Sequence, residues 1–413
     1  MNLRAAEDYL LGLELFGMRF GLDRMRKLMT VLGSPERSFA SIHVVGTNGK
    51  SSTVRFAAAI LSRHGLRTGS YTSPHLSSFR ERVEVDEQPV PGADFARAVA
   101  RTAHAADLVN RTLPADDRVT QFEALTAAAY LELAQRSVEV AVVEAGLGGR
   151  FDATSVIPSR VQVLTGVGLE HTRWLGPTIR DIAEEKLAVV RKNSTLVVGE
   201  LSPEARAVAE RVASERRARL VQAPPDAGFE LLAPGGFQRR NFAIAAAAAE
   251  AFIGSSLDWA SCARAAAETR IPGRLDVVGE RPLTVYDGAH NPSGARALAE
   301  ALPEVLGRRR PRVLAASVLE DKDAAGMLAA LLPGFDRVVF TRCANPRALS
   351  PATLETLADK LGGPPAETAA DPSRALRRAS ALAGAGGAVV ATGSIYLVAD
   401  LVRVPGEGRA SML

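Results

Sequence analysis

Short apolar runs rich in β-branched residues alternate with helix-period stretches along almost the whole chain, and that alternation limits the fold more than anything else. Candidate strands lie at 41–46, 68–72, 138–145, 160–167 and 194–199, and a second series at 283–287, 312–317, 336–341 and 387–393. Helical patterns fit between them at 51–64, 122–135, 203–218, 241–253, 258–269, 293–301, 322–331, 351–361 and 372–384. Strand–helix alternation predicts an α/β chain with mainly parallel sheet. The segment IPGRLDVVGERP (271–282), with two prolines and two glycines, reads as the joint between the two series.

A length of 413 residues suggests two or three domains. An apolar fraction of 47% and a charged fraction of 23% are those of a globular protein rather than a disordered one. No run approaches the roughly 18–20 apolar residues a membrane span needs, and the N-terminal stretch lacks a signal-peptide pattern. With only Cys262 and Cys343, neither a disulfide framework nor a cysteine metal site is expected. These features predict a cytoplasmic protein with no membrane partner. A net charge of +4 and sparse aromatics argue against a nucleic-acid partner. Only six of the 50 basic residues are lysines, and three of them, Lys50, Lys186 and Lys322, fall inside motifs. Where generic positive charge is written as arginine, a lysine marks a place where an ammonium or an amine is chemically wanted.

The run SIHVV passes directly into Gly46-Thr47-Asn48-Gly49-Lys50-Ser51-Ser52, and a helical pattern closed by Gly65 follows. A glycine loop between strand and helix lets backbone amides converge on phosphate oxygens, with the helix dipole behind them. Lys50 would reach the β- and γ-phosphates, and Ser51 or Ser52 would offer a hydroxyl to Mg²⁺. The strict eight-residue pattern fails, because Val44 stands where its first glycine would be. A tight glycine turn opening a helix is the plainer alternative.

HVVGTNGKSSTV resembles the ATP loop of the Mur ligase superfamily, in its folylpolyglutamate synthase/dihydrofolate synthase branch, with Ser51 where that branch has glycine. Phe16-Gly17 with Gly21-Leu22, and Leu32-Gly33-Ser34-Pro35, are similar to the family's lead-in. Further motifs follow in the family's order, so the resemblance is essentially full length. It implies a P-loop ATPase-like N-terminal domain (1–279) binding ATP and folate, and a smaller Rossmann-like glutamate-ligase domain (280–413). It also implies a monomer.

The remaining site residues are assigned through this resemblance. Glu144 closes the strand VEVAVVEA; alone it is a solvated strand-end charge, but in the family the matching glutamate binds Mg²⁺. The next loop, GLGGRFDAT, lacks the third glycine of a dinucleotide fold, since Phe151 occupies that place. It matches the loop bordering the pterin pocket, which brings in Arg150, Asp152 and Ala153. Phe122, in TQFE, matches the aromatic that packs on the pterin, although Gln121 replaces the usual tyrosine. His171, in GLEHTRWLG, corresponds to the histidine on a second Mg²⁺, with Glu170 and Arg173 in place of the family's aspartates. Ser73, in SPHL, matches a metal-facing serine; by itself it is an ordinary Ser-Pro turn. Lys186 follows Glu184 and Glu185 and reads at face value as charged helix surface. In the family the matching lysine is carbamylated, which requires a neutral amine. Asn241, by itself a good helix N-cap, matches a nucleotide-contacting asparagine. Arg274 in PGR and Asp287 and His290 in YDGAHNP match ATP contacts. Asp321-Lys322-Asp323 and Ser394 match turns near the incoming glutamate; Asp321 and Ser394 could equally be helix caps.

The implied reaction is ATP- and Mg²⁺-dependent joining of L-glutamate to a carboxylate of dihydropteroate or a reduced folate through an acyl phosphate. Another Mur-type ligase, a P-loop kinase or NTPase, and a non-catalytic nucleotide-binding protein are the competing readings. The kinase or NTPase leaves the YDGAHNP region unexplained.

Overall fold

The computed structural model describes residues 1–13 and 21–403, so Phe16 and Gly17 of the lead-in lie outside the described residues. The described residues divide into two compact units, one of residues 1–13, 21–230 and 239–269, the other of residues 231–238 and 270–403.

The first unit is built on an eight-stranded sheet of order β4-β3-β2-β5-β1-β6-β7-β8. Its strands are β1 (Ala40–Val45), β2 (Thr68–Tyr71), β3 (Val83–Val85), β4 (Gln88–Pro89), β5 (Val140–Glu144), β6 (Val161–Leu164), β7 (Thr195–Val198) and β8 (Arg219–Gln222). From β2 to β8 the pairing is parallel, and only β3 and β4 run antiparallel at one edge. Every residue of β5 is buried, as a parallel strand covered on both faces must be. Because Val44 pairs with Glu144 and Val45 with Leu164, the ends of β5, β1 and β6 come level. The chain leaves β1 for β2 on one side and later passes from β5 to β6 on the other. This is the topological switch point at which open α/β sheets place ligands, outside the carboxyl ends of the strands.

The second unit carries a six-stranded sheet of order β13-β12-β11-β14-β10-β9. Its strands are β9 (Asp276–Glu280), β10 (Leu283–Tyr286), β11 (Arg312–Ala316), β12 (Arg337–Phe340), β13 (Ala366–Thr368) and β14 (Ala388–Thr392). Only β9 is antiparallel, to β10. All nine strands read from the sequence are present. Five others, β3, β4, β8, β9 and β13, were not anticipated, and neither were the helices Leu3–Leu11, Asp23–Val31 and Gly92–Asn110.

Two helix starts differ from expectation. The alanine-rich helix begins at Gly236 rather than Asn241, so Asn241 lies in its second turn and is not its N-cap. The helix after DKD is capped by Asp323, whose carboxylate accepts from the Gly326 amide, and not by Asp321. Ser394 does cap the helix Ile395–Val402. Among the described residues no helix is long and apolar enough to cross a membrane.

Candidate active site

The loop after β1 opens at Gly46 and closes at Gly49, both at positive φ (155° and 82°). A Cβ on Gly46 would collide with the Thr165 hydroxyl, and one on Gly49 with the Asn241 side chain. Glycine is therefore demanded by close approach as well as by backbone conformation. The loop is stitched to the end of β6: the Thr47 amide donates to Gly166 O (2.9 Å), the Gly168 amide to Thr47 Oγ1 (3.0 Å), and the Thr165 hydroxyl to Asn48 O (2.6 Å). The helix Lys50–Arg63 starts on this loop. Its N-terminal amides and dipole favour an anion there.

Two ammonium groups share one carbonyl. Lys50 Nζ donates to Gly46 O (3.0 Å) and Thr47 O (3.1 Å), while Lys186 Nζ donates to the same Gly46 O at 2.8 Å. Lys186 is only 4% exposed, so the surface reading of its EEK segment does not hold. Its helix, Ile179–Leu187, buries Ile182, Ala183 and Leu187 on the same face. Burial, with the Lys50 charge second, pushes its amine down to about 7; Glu170 and Asp152 pull the other way. Near neutral pH a large fraction of Lys186 is therefore uncharged amine. Glu170, which in the sequence stands only as a replaced neighbour of His171, is an acid near enough to favour this amine's charged form.

Glu144, at the end of β5, is buried. Its Oε1 accepts from the Ser51 hydroxyl (3.0 Å) and its Oε2 from the Ser73 amide (3.0 Å). Ser52 is buried in the helix, which leaves Ser51 as the P-loop hydroxyl beside the carboxylate. Among the described residues no group of three or more His, Cys, Asp or Glu could hold a metal. The donor set nevertheless suits Mg²⁺, which binds through one or two hard protein oxygens and fills its shell with water and phosphate oxygens. His171, exposed at φ 51°, lies with Nε2 3.8 Å from Glu170 Oε1.

In TQFE, Thr120 and Glu123 form a capping box on the helix Gln121–Gln135, and Arg24 Nε donates to Glu123 Oε1 (3.1 Å). Gln121 is turned inward, its amide donating to Leu10 O (2.8 Å). That leaves Phe122 half-buried, 6.3 Å from the Tyr71 ring and close enough to Gly146 that a Cβ there would sit 2.6 Å from its ring. Of the other pterin-loop residues, Arg150 is exposed and donates from Nε to Glu185 Oε1 (2.7 Å). Asp152 and Ala153 are buried. Both Asp152 oxygens are engaged, Oδ2 by the Leu147 amide (2.8 Å) and Oδ1 by the Thr154 amide (3.0 Å) and hydroxyl.

In the second unit Asp287 is buried, and burial raises its pKa, with Arg274 and the backbone amides opposing. Its Oδ2 accepts from the Leu275 amide (2.8 Å) and its Oδ1 from the Ala289 amide (2.7 Å). The Gly288 amide donates to Gly273 O (2.9 Å), so the PGR and DGAH turns are tied together. A side chain on Gly288 would meet the Arg274 guanidinium. His290 Nδ1 lies 2.9 Å from Gly288 O. Asp321 pairs with Arg347 (3.3 Å) and Lys322 (3.5 Å).

Residues 273–395 match the family model for the Mur ligase, glutamate ligase domain. A dihydrofolate synthase/folylpolyglutamate synthase of Mycobacterium tuberculosis is 36% identical over 384 residues, covering 83% of this chain and 78% of that protein. The chain belongs to the folylpolyglutamate synthase/dihydrofolate synthase family. Solved members of the family are similar to it over nearly all of its length. The Mycobacterium tuberculosis folylpolyglutamate synthase complexed with ADP and AMPPCP has a TM-score of 0.89 at 33% identity, covering 97% of this chain and 98% of that one. Escherichia coli FolC in complex with DHPP and ADP has a TM-score of 0.85 at 30% identity, covering 97% of each chain. As a member of this family the chain is an ATP-dependent ligase.

Proposed function

We propose that the protein joins the amine of L-glutamate to a carboxylate of dihydropteroate, of a reduced folate, or of both. The observation that carries this reading is the convergence of Lys50 and Lys186 on Gly46 O, beside Glu144 with Ser51 and Ser73. A carboxylate can attack a γ-phosphate only where the negative charge on both is countered. The loop amides and Lys50 hold the triphosphate, and the acceptor carboxylate attacks the γ-phosphorus, breaking its bond to the β-bridging oxygen and releasing ADP. Glutamate's neutral amine then attacks the acyl carbon, phosphate departs, and the amide nitrogen loses a proton. Mg²⁺ would be held at Ser51, Ser73 and Glu144, with His171 at a second site, and would supply positive charge at the phosphates.

Half-buried Phe122 and exposed Arg150 offer the surface for a pteroyl group, while Asp152 and Ala153 shape its loop from inside. Arg274 and His290 are assigned to the nucleotide, Asp287 to holding the Arg274 turn, and Asp321, Lys322 and Ser394 to glutamate. The functional division runs 1–279 for ATP and folate and 280–413 for glutamate. The depressed Lys186 amine supports carbamylation by CO₂, since only the neutral form reacts. A cytoplasmic setting accords with two buried, free cysteines, and monomeric action is assigned through the family resemblance alone.

The test is mass spectrometry of products formed from ATP, Mg²⁺, L-glutamate and either dihydropteroate or tetrahydrofolate. A gain of one glutamate on both acceptors is the bifunctional outcome, and a gain on one assigns the single step. ATP hydrolysis with no adduct on either would sink the folate reading.

A further inference from the structure

We propose that His43 is a positioning residue for the acceptor loop, its Nε2–H fixing the Thr154 hydroxyl and through it the Asp152 carboxylate. This rests on the reading of residues 146–154 as the border of the folate pocket.

His43 lies in the middle of β1, fully buried, between the apolar residues Ile42 and Val44. Its Nε2 is 2.8 Å from Thr154 Oγ1. The Thr154 hydroxyl already donates its one proton to Asp152 Oδ1. The imidazole must therefore be the donor, which fixes the Nε2–H tautomer and leaves Nδ1 as a bare acceptor. Nδ1 has no hydrogen-bond partner among the described residues. Burial, reinforced by Arg191, holds the ring's pKa down to about 3, so it stays neutral wherever the protein is folded and active. A buried polar ring with one orphaned nitrogen is unfavourable by itself. What it provides is the bond to Thr154.

That bond lies at the head of a chain of restraints. Asp152 holds the Leu147 and Thr154 amides, Tyr130 OH donates to Thr154 O (3.1 Å), and the Ser155 hydroxyl donates to Gly149 O. Gly146 and Gly149, where an added Cβ would lie 2.6 Å from the Phe122 ring and from the Lys186 carbonyl, bring no side chains to hold the loop, and Arg150 ties it outward to Glu185. Without the His43 donor, the Thr154 hydroxyl is held only by its bond to Asp152, and the loop's distance from Phe122 is less well defined.

The experiment compares wild type with His43→Leu, His43→Gln and Thr154→Val by amide hydrogen exchange and steady-state kinetics. Expected is exchange in residues 146–156 faster by about tenfold in His43→Leu and Thr154→Val, with the rest of the sheet unchanged. The KM for the folate acceptor should rise by about tenfold while that for ATP stays within about twofold. His43→Gln, which returns an N–H donor, should recover most of both. Thr154→Val keeps the test open should His43→Leu fold poorly. Unchanged exchange in 146–156, or loosening spread evenly over the unit, would overturn the proposal. Equal rises in both KM values would do the same. A wild-type protein inactive on both acceptors would remove the folate reading, and the exchange comparison would still decide the role of His43.

Discussion

The loop after β1 and the turn after β10 both sit at the carboxyl ends of buried strands, yet they manage charge in opposite ways. At Gly46–Ser52 two lysine ammoniums converge on one carbonyl, and one of them is buried enough to lose its proton near neutrality. At Asp287–His290 the buried carboxylate is matched by two backbone amides of its own unit. The first arrangement is electrostatically unfavourable unless an anion joins it; the second is complete in itself. A like-charged cluster is what phosphate chemistry requires, whereas a satisfied carboxylate fixes backbone. The two regions should therefore respond oppositely to substitution.

The largest effect is expected at Lys50. Lys50→Met should lower the rate of amide formation by about a thousandfold, while thermal unfolding shifts little, because a repulsive neighbour of Lys186 is removed. It should also raise the Lys186 pKa, readable from the pH dependence of amine labelling. A large loss of stability with activity retained would break the contrast.

Lys186 offers a second check, through proton linkage. Its folded pKa of about 7 lies below the ordinary 10.5, so between those values the unfolded chain binds the extra proton. Stability must then rise as pH goes from about 7 to 10.5. The penalty for a buried ammonium is fully present below pH 7 and gone above 10.5. In bicarbonate-free buffer, Lys186→Met should abolish this slope, measured as the difference in urea midpoint between the two proteins. An unchanged slope would show that Lys186 is not the group responsible.

Asp287→Asn should do the reverse of Lys50→Met. One of the Leu275 and Ala289 amides would face an NH₂ group and lose its acceptor, destabilising the protein by about 1–3 kcal/mol. Leu275 sits at φ 52°, a left-handed conformation that a non-glycine residue keeps only when its surroundings hold it. Denaturant melting should show the loss whether or not substrates are present.

How far the sequence could be read follows the same physics. The central strands of both units were legible because parallel strands buried on both faces leave continuous apolar runs. The missed β8 and β9 are edge strands in which half or more of the residues are exposed, so no such run marks them. The helix Gly92–Asn110 was missed because its buried face is largely alanine, with little contrast to its flanks. The phosphate loop and Glu144 were visible as motifs. The burial of Lys186 was not, because EEK looks like surface. Its signal was phase: residue 186 falls on the same helical face as Ile182, Ala183 and Leu187. His43 left no comparable trace, since its importance depends on Thr154, which is 111 residues away.

The smallest expected effect, at Gly288, separates backbone fixing from nucleotide contact within the second region. A Cβ there would overlap the Arg274 guanidinium and lie 2.7 Å from Ile395 Cδ1. The guanidinium is the far end of a flexible side chain, so Gly288→Ala should displace Arg274 while the Asp287 bonds to Leu275 and Ala289 survive. Stability should change by about 1 kcal/mol or less, since overpacking is relieved by the moving arginine. If Arg274 contacts the nucleotide, the KM for ATP should still rise severalfold, and Arg274→Ala should add little on top of Gly288→Ala. A KM for ATP that stays put in Gly288→Ala but rises in Asp287→Asn would mean that the turn itself, and not the guanidinium, serves the nucleotide.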